Sequence, residues 1–209
     1  PGAVKPETSP PVLSALLAAA VVLAWCAAAL ALDQPLFTVQ RSRLLMTLGA
    51  ADGELLVNGQ WWLIVTPQFL HVHFLHMLFN AACLGIVGAA LERRHGGGSL
   101  TFVVLVGGSS GQIASVLAYP GLVSSGASQA LMALCAAALV LLPRHPVRLF
   151  PLAVVVIQAA LDLYVADRIK AGHGAGFLAG LLLAWPSVRF ARRLSGRSAS
   201  VTGAANGPR

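Results

Sequence analysis

A chain of 209 residues that is 57% hydrophobic and only 10% charged, with a mean hydropathy of +0.78, is not a soluble globular domain, in which about a quarter of residues carry charge. The formal net charge is +7, but the basic residues are scattered among short connecting segments and the C-terminal tail rather than gathered on one face, which excludes nucleic acid as a partner. Cys26, Cys83 and Cys135 lie in apolar runs without C-x-x-C spacing, so no disulfide framework or zinc site is indicated and all three read as small buried hydrophobes.

Windows of the roughly 20 apolar residues that a bilayer requires predict an all-α, polytopic bundle of six transmembrane helices. They cover residues 11–32, 70–91, 100–118, 128–142, 149–165 and 173–188. The expected organisation is a cytoplasmic N-terminal segment 1–10, a membrane domain 11–190 and a basic, disordered cytoplasmic tail 191–209. Ala27-Ala28-Ala29 in the first window is similar to a signal-peptide cleavage region. Its apolar stretch exceeds an h-region, however, and Lys5 is the only basic residue before it, so a retained helix is expected. The missing initiator Met before Pro1 is read as trimming.

Lysine and arginine placement orients this bundle. With both termini cytoplasmic, ten of the 14 basic residues lie inside, among them Arg93, Arg94, Arg144 and Arg148, against Arg41, Arg43, Arg168 and Lys170 outside. The second, fourth and sixth helices then run inward, and their first turns share the outer face. The second window opens Leu70-His71-Val72-His73-Phe74-Leu75-His76 and reaches Asn80; the fourth opens at Ser128 and the sixth at His173. His76 and Asn80, four residues apart, fall about 40° apart around a helix axis. Residues 128 to 142 span only about 22 Å as a helix, short of the roughly 30 Å hydrocarbon core, which sets Ser128 below the outer surface. The turn-rich stretch 119–126 before it is tolerated at that depth only where protein or a water-filled cavity receives its polar groups.

Ser128 and His173, at corresponding ends of two spanning helices, can meet inside the bilayer, where an unpaired polar group is costly and marks function. Gly176 and Gly180, one turn apart, face the small residues Gly126, Ala127, Ala130 and Ala133. Close backbone approach would bring the Ser128 hydroxyl within the roughly 3 Å a general base needs. Other polar residues have plainer readings. The H-x-H-x-x-H run 71–76 lacks a carboxylate or thiolate, and a helix would splay His71 from His76 by about 140°, so no metal site is assigned. Asp162 is weighed as the third member of a triad and read instead as an outer-end polar residue close to Asp167 and Arg168. Trp61 and Trp62 read as an interfacial aromatic belt.

Together these residues resemble the rhomboid family of intramembrane serine proteases. The resemblance rests on the six-helix plan, the long first loop 33–67, the H-x-x-x-N of His76 and Asn80, the G-x-S of Gly126 to Ser128, and His173 with its glycines. Glu92-Arg93-Arg94 is similar to the family's E-x-R. The resemblance implies that Ser128 is the nucleophile and His173 its base, in a dyad without a carboxylate. It also implies that His76 and Asn80, with the Ser128 N–H, form the oxyanion hole, that no cofactor is used, and that transmembrane segments of other proteins are cut near their outer ends. Three positions depart from the family pattern. Gln129 replaces the last glycine of G-x-S-G, Met132 replaces a tyrosine that usually packs on the histidine, and Leu63 follows Trp62 where W-R is usual.

The expected function is therefore an intramembrane serine endopeptidase. The alternative is a catalytically silent rhomboid-like protein that binds membrane helices; its hallmark, loss of the serine or histidine, is not found. A small-solute transporter would show inverted repeats, and no convincing repeat is present. Expected partners are transmembrane-helix substrates and the lipid bilayer. The expected location is a bacterial plasma membrane, with both termini cytoplasmic and the active site opening outward.

Overall fold

The computed structural model of the protein describes residues 10–205. Six principal helices, α1 (Val12–Ala31), α2 (Phe74–His95), α3 (Gly97–Ala118), α4 (Ser128–Leu141), α5 (Pro146–Ala166) and α6 (Ala171–Ala205), form the bundle. All but α4 are long and apolar enough to cross a membrane. α4 is shorter because it is enclosed. Each residue from Ser128 to Ala138 is buried, which suits a helix that is apolar on every side and surrounded by protein.

Small residues make that enclosure possible. A Cβ on Gly176 or Gly180 of α6 would run into the backbone carbonyls of Gln129 and Ala133 on α4, so the two helices approach as closely as their backbones permit. α3 crosses α4 through a π-helical stretch, Val103–Gly107. α1 packs along α2, and its N-terminus is closed by a residue from that neighbour. The Glu92 carboxylate accepts the Leu13 and Ser14 N–H groups at 3.0 and 2.8 Å, filling two positions that every helix N-terminus leaves open. The E-x-R glutamate thus joins two helix ends far from Ser128.

α5 shows how a membrane helix is rotated by its polar side. Pro151, Val154, Gln158 and Asp162, spaced three and four apart, are buried, while Leu152, Val156, Leu161, Tyr164 and Val165 are exposed on the apolar face. This corrects the reading of Asp162 as an outer-end polar residue: its side chain points into the bundle and is only 1% exposed.

The second helix begins at Phe74 rather than Leu70. His73 is extended at φ −113° and ψ 131°, and it pairs with Val39 of the first loop, so backbone pairing with that loop displaces the first turn that the apolar window suggested. A second clasp joins the same loop to the approach of α4. Ala51 N–H donates to the Ser124 carbonyl at 3.0 Å and Ser124 N–H donates to Ala51 at 2.6 Å. Gly126 N–H donates to the Pro67 carbonyl at 2.8 Å. Irregular backbone at 119–126 therefore finds its partners in protein, as the sequence requires. At the other end, α6 runs past residue 190 to Ala205, into the segment assigned to the tail. Residues 1–9 and 206–209 lie outside the described residues.

Candidate active site

A cavity of about 750 Å³ opens among α2, α3, α4, α5 and α6, with Ser128, His173 and His76 in its wall. Ser128 is the first residue of α4, where the helix presents unsatisfied N–H groups and the positive end of its dipole. Gly126 prepares this start with φ +118°, a conformation that a side chain would strain. A Cβ there would lie 3.4 Å from His76 Cε1 and 3.7 Å from Ser128 Oγ, so the three residues converge on one point.

The two residues singled out from the sequence are in contact. Ser128 Oγ lies 2.8 Å from His173 Nε2, with Ser128 2% and His173 4% exposed. On the far side of the imidazole, His173 Nδ1 lies 2.6 Å from Asp162 Oδ2. These contacts select one tautomer: Nδ1 carries hydrogen and donates to the carboxylate, leaving the Nε2 lone pair to accept from the serine hydroxyl. The sequence pointed to the first of these bonds, while for the second it raised Asp162 as a third member and preferred an outer-end reading. The available signal was the four-residue spacing of Gln158 and Asp162, two polar residues on one stripe of an otherwise apolar helix.

His76 and Asn80 are placed differently from each other. His76 lines the cavity, whereas Asn80 is completely buried behind it, with its amide donating to the His76 carbonyl at 2.9 Å. His71, assigned no role from the sequence, underlies this arrangement. Because it precedes α2, the helical splay expected between His71 and His76 does not apply, and their rings meet edge to face at 5.5 Å. His71 Nε2 accepts the Ala127 N–H at 3.1 Å, immediately before the serine, and Asn80 Nδ2 approaches the same nitrogen at 3.4 Å. Burial, reinforced by the neighbouring His76 imidazole, pushes His71 down to about 3, so it is a neutral acceptor at ordinary pH.

Gln129 occupies space that glycines leave for it. A Cβ on Gly111 would fall 2.6 Å from Gln129 Cβ, and one on Gly172 would fall 3.2 Å from Gln129 Cγ. The amide nitrogen reaches Ser115 Oγ at 3.4 Å, and the amide oxygen lies 3.5 Å from Ser128 Oγ. It is thus a wall of the cavity beside Ser128.

A buried serine at a helix N-terminus, an imidazole on its oxygen and an enclosing membrane bundle define a helical membrane protein built around a serine–histidine pair. The model of the Rhomboid domain matches residues 58–190, more than half of the chain, and the protein belongs to the rhomboid family. It is 31% identical over 149 residues to the Rhomboid protease GluP of Bacillus subtilis (strain 168), covering 67% of this chain and 29% of that relative. It is 36% identical over 88 residues to the Rhomboid-like protease 3 of Toxoplasma gondii, covering 42% and 34% of the two chains. Similarity to the Putative rhomboid protease YdcA of Bacillus subtilis (strain 168) is 37% over 78 residues, covering 37% and 39%. The chain therefore spans 29 to 39% of the length of these curated relatives.

Proposed function

We propose that this multi-pass membrane protein is an intramembrane serine endopeptidase that cleaves transmembrane segments of other membrane proteins near their outer ends. The observation that carries the reading is the 2.8 Å contact of Ser128 Oγ with His173 Nε2 in the wall of a cavity inside the bundle. The protease names of the relatives support it. In the first step the Ser128 oxygen attacks the scissile carbonyl, its proton passes to His173 Nε2, and the carbonyl π pair moves onto oxygen. The oxyanion develops beside the N-terminus of α4, where the Ser128 N–H and His76 donate and Asn80 secures the turn that carries His76. Collapse expels the new N-terminus with the proton from His173 and leaves an acyl-Ser128 ester, which water hydrolyses by the reverse proton route.

The distribution of basic residues supports cytoplasmic termini and a cavity opening to the outer side, and the minimal loops with the alanine, glycine and arginine bias support a bacterial plasma membrane. Purified wild-type protein should label with a serine-reactive fluorophosphonate and cut a model transmembrane substrate. Ser128→Ala and His173→Ala should each abolish cleavage while leaving the folded protein in the membrane. Full cleavage by either variant removes the mechanism.

A further inference from the structure

Asp162 is a buried ionisable group beside His173 that the serine–histidine reading leaves unused. A carboxyl on an apolar membrane helix is expensive, and its 1% exposure means that its partners must be protein groups. Four contacts surround it. His173 Nδ1 lies 2.6 Å from Oδ2, and the Lys170 backbone N–H donates to the same oxygen at 3.0 Å. Gln158 Nε2 donates to Oδ1 at 3.3 Å, and Lys170 Nζ lies 3.9 Å from that oxygen on a side chain 46% exposed.

A structural reading would make Asp162 a clip for the short connection from α5 to α6, and the Lys170 N–H contact does serve that turn. The clip leaves the histidine contact unexplained, and that contact is shorter than an ordinary N–H···O bond and aimed at the ring nitrogen opposite Ser128. The clip also makes the aim rigid. Asp167 closes α5 with φ +54° and its N–H on the Leu163 carbonyl at 3.0 Å, and Gly174 N–H returns to the Lys170 carbonyl at 3.0 Å. Carboxylate and imidazole are therefore held by one short segment.

We infer that Asp162 is a positioning residue of a Ser128–His173–Asp162 triad, holding His173 in the Nδ1–H tautomer with Nε2 facing the serine. Resting on the serine–histidine reading, it adds a carboxylate to a proton route that otherwise ends at the imidazole. As the Ser128 Oγ–carbon bond forms, the hydroxyl proton moves to Nε2 while the Nδ1 proton stays on nitrogen. The imidazolium so formed is opposed by the adjacent carboxylate, which does not itself take a proton. Without that acceptor the ring turns or exchanges tautomers, and Nε2 no longer presents a lone pair to Ser128.

Asp162→Asn keeps the size of the side chain and removes the charge. The expected result is a fall of about 10² to 10⁴ in kcat and in the fluorophosphonate labelling rate, with KM and the thermal unfolding temperature in detergent unchanged. A clip alone would give the opposite split, a lower unfolding temperature with kcat retained by the folded fraction. That result, or rates within about threefold of wild type, overturns the inference. Wild-type protein supplies a second measurement that does not depend on the variant folding. In ¹⁵N-histidine-labelled protein at neutral pH, the His173 signals, identified by their loss in His173→Ala, should show a downfield proton on Nδ1 and an unprotonated Nε2. A proton on Nε2 overturns the assignment. Labelling of wild type with silence of Ser128→Ala upholds the serine–histidine reading whichever way Asp162→Asn behaves, so the two failures are distinct.

Discussion

His71 accepts the N–H of Ala127 with a nitrogen that must stay unprotonated, and this makes the approach to Ser128 sensitive to acid. With an ordinary value near 6.5 and a folded value of about 3, the unfolded chain binds more protons between those limits. The His71 contribution to stability is therefore complete above about pH 6.5 and is lost as pH falls toward 3. His71→Gln, whose amide oxygen can accept the same N–H without titrating, isolates the effect. The difference in unfolding temperature between wild type and His71→Gln should move in favour of the variant from pH 7 to pH 4, measured in a neutral detergent; a constant difference would show that His71 protonation is not coupled to the fold. Sequence reading located Ser128 and His173 because each opens an apolar segment, a signal that survives without coordinates. It gave His71 no role, and weighed Asp162 as a triad member only to set it aside, for a common reason. Both depend on which way a backbone turns, His71 through the extended pairing before α2 and Asp162 through the rotation of α5 about its axis.

At the level of helices, the contact of α4 with α6 holds Ser128 against His173, and it depends on absent side chains. A Cβ at Gly180 would meet the Ala133 backbone carbonyl, which cannot move without shifting α4. Gly180→Ala should therefore destabilise the protein by about 1–3 kcal/mol, the usual range for forcing a methyl group into a packed interior, and labelling should fall with it. Gly174→Ala is the control on the same helix, because its Cβ would find only Ile169 Cγ2 at 3.9 Å. Unfolding curves in mixed micelles should separate the two, and equal stability of Gly180→Ala and wild type would mean that the helices have room to spare. The spacing of His173, Gly176 and Gly180 announced this contact in the sequence. The glycines that make room for Gln129, Gly111 and Gly172, were not legible, since nothing in the linear order says that α3 and the start of α6 meet at that side chain.

Over the whole molecule, five of the six apolar windows became helices long enough to span a bilayer, whose thickness sets that length; the fourth became the short enclosed α4, the start of α2 moved where the first loop pairs with it, and α6 ran on past its window. Orientation is a separate question that helix packing does not answer, because a bundle packs identically either way up. The proposed orientation, drawn from the charge count, puts Arg93 and Arg144 on the cytoplasmic side and Asp52 outside. Single cysteines at 52, 93 and 144, in a background lacking Cys26, Cys83 and Cys135, should react with membrane-impermeant maleimide from opposite sides in intact cells. The reverse pattern would turn the cavity toward the cytoplasm.

The Glu92 clasp carries a consequence for assembly in time. The carboxylate that finishes the start of α1 arrives 79 positions after Leu13, at the end of the next membrane crossing. When α1 first enters the bilayer, its opening N–H groups have only interfacial water to bind. Once α2 has crossed, the same groups are taken by a protein ligand, and α1 is fastened to α2 at that end. The start of α1 is thus completed by a side chain synthesised after it, and the finished helix end depends on the helix that follows.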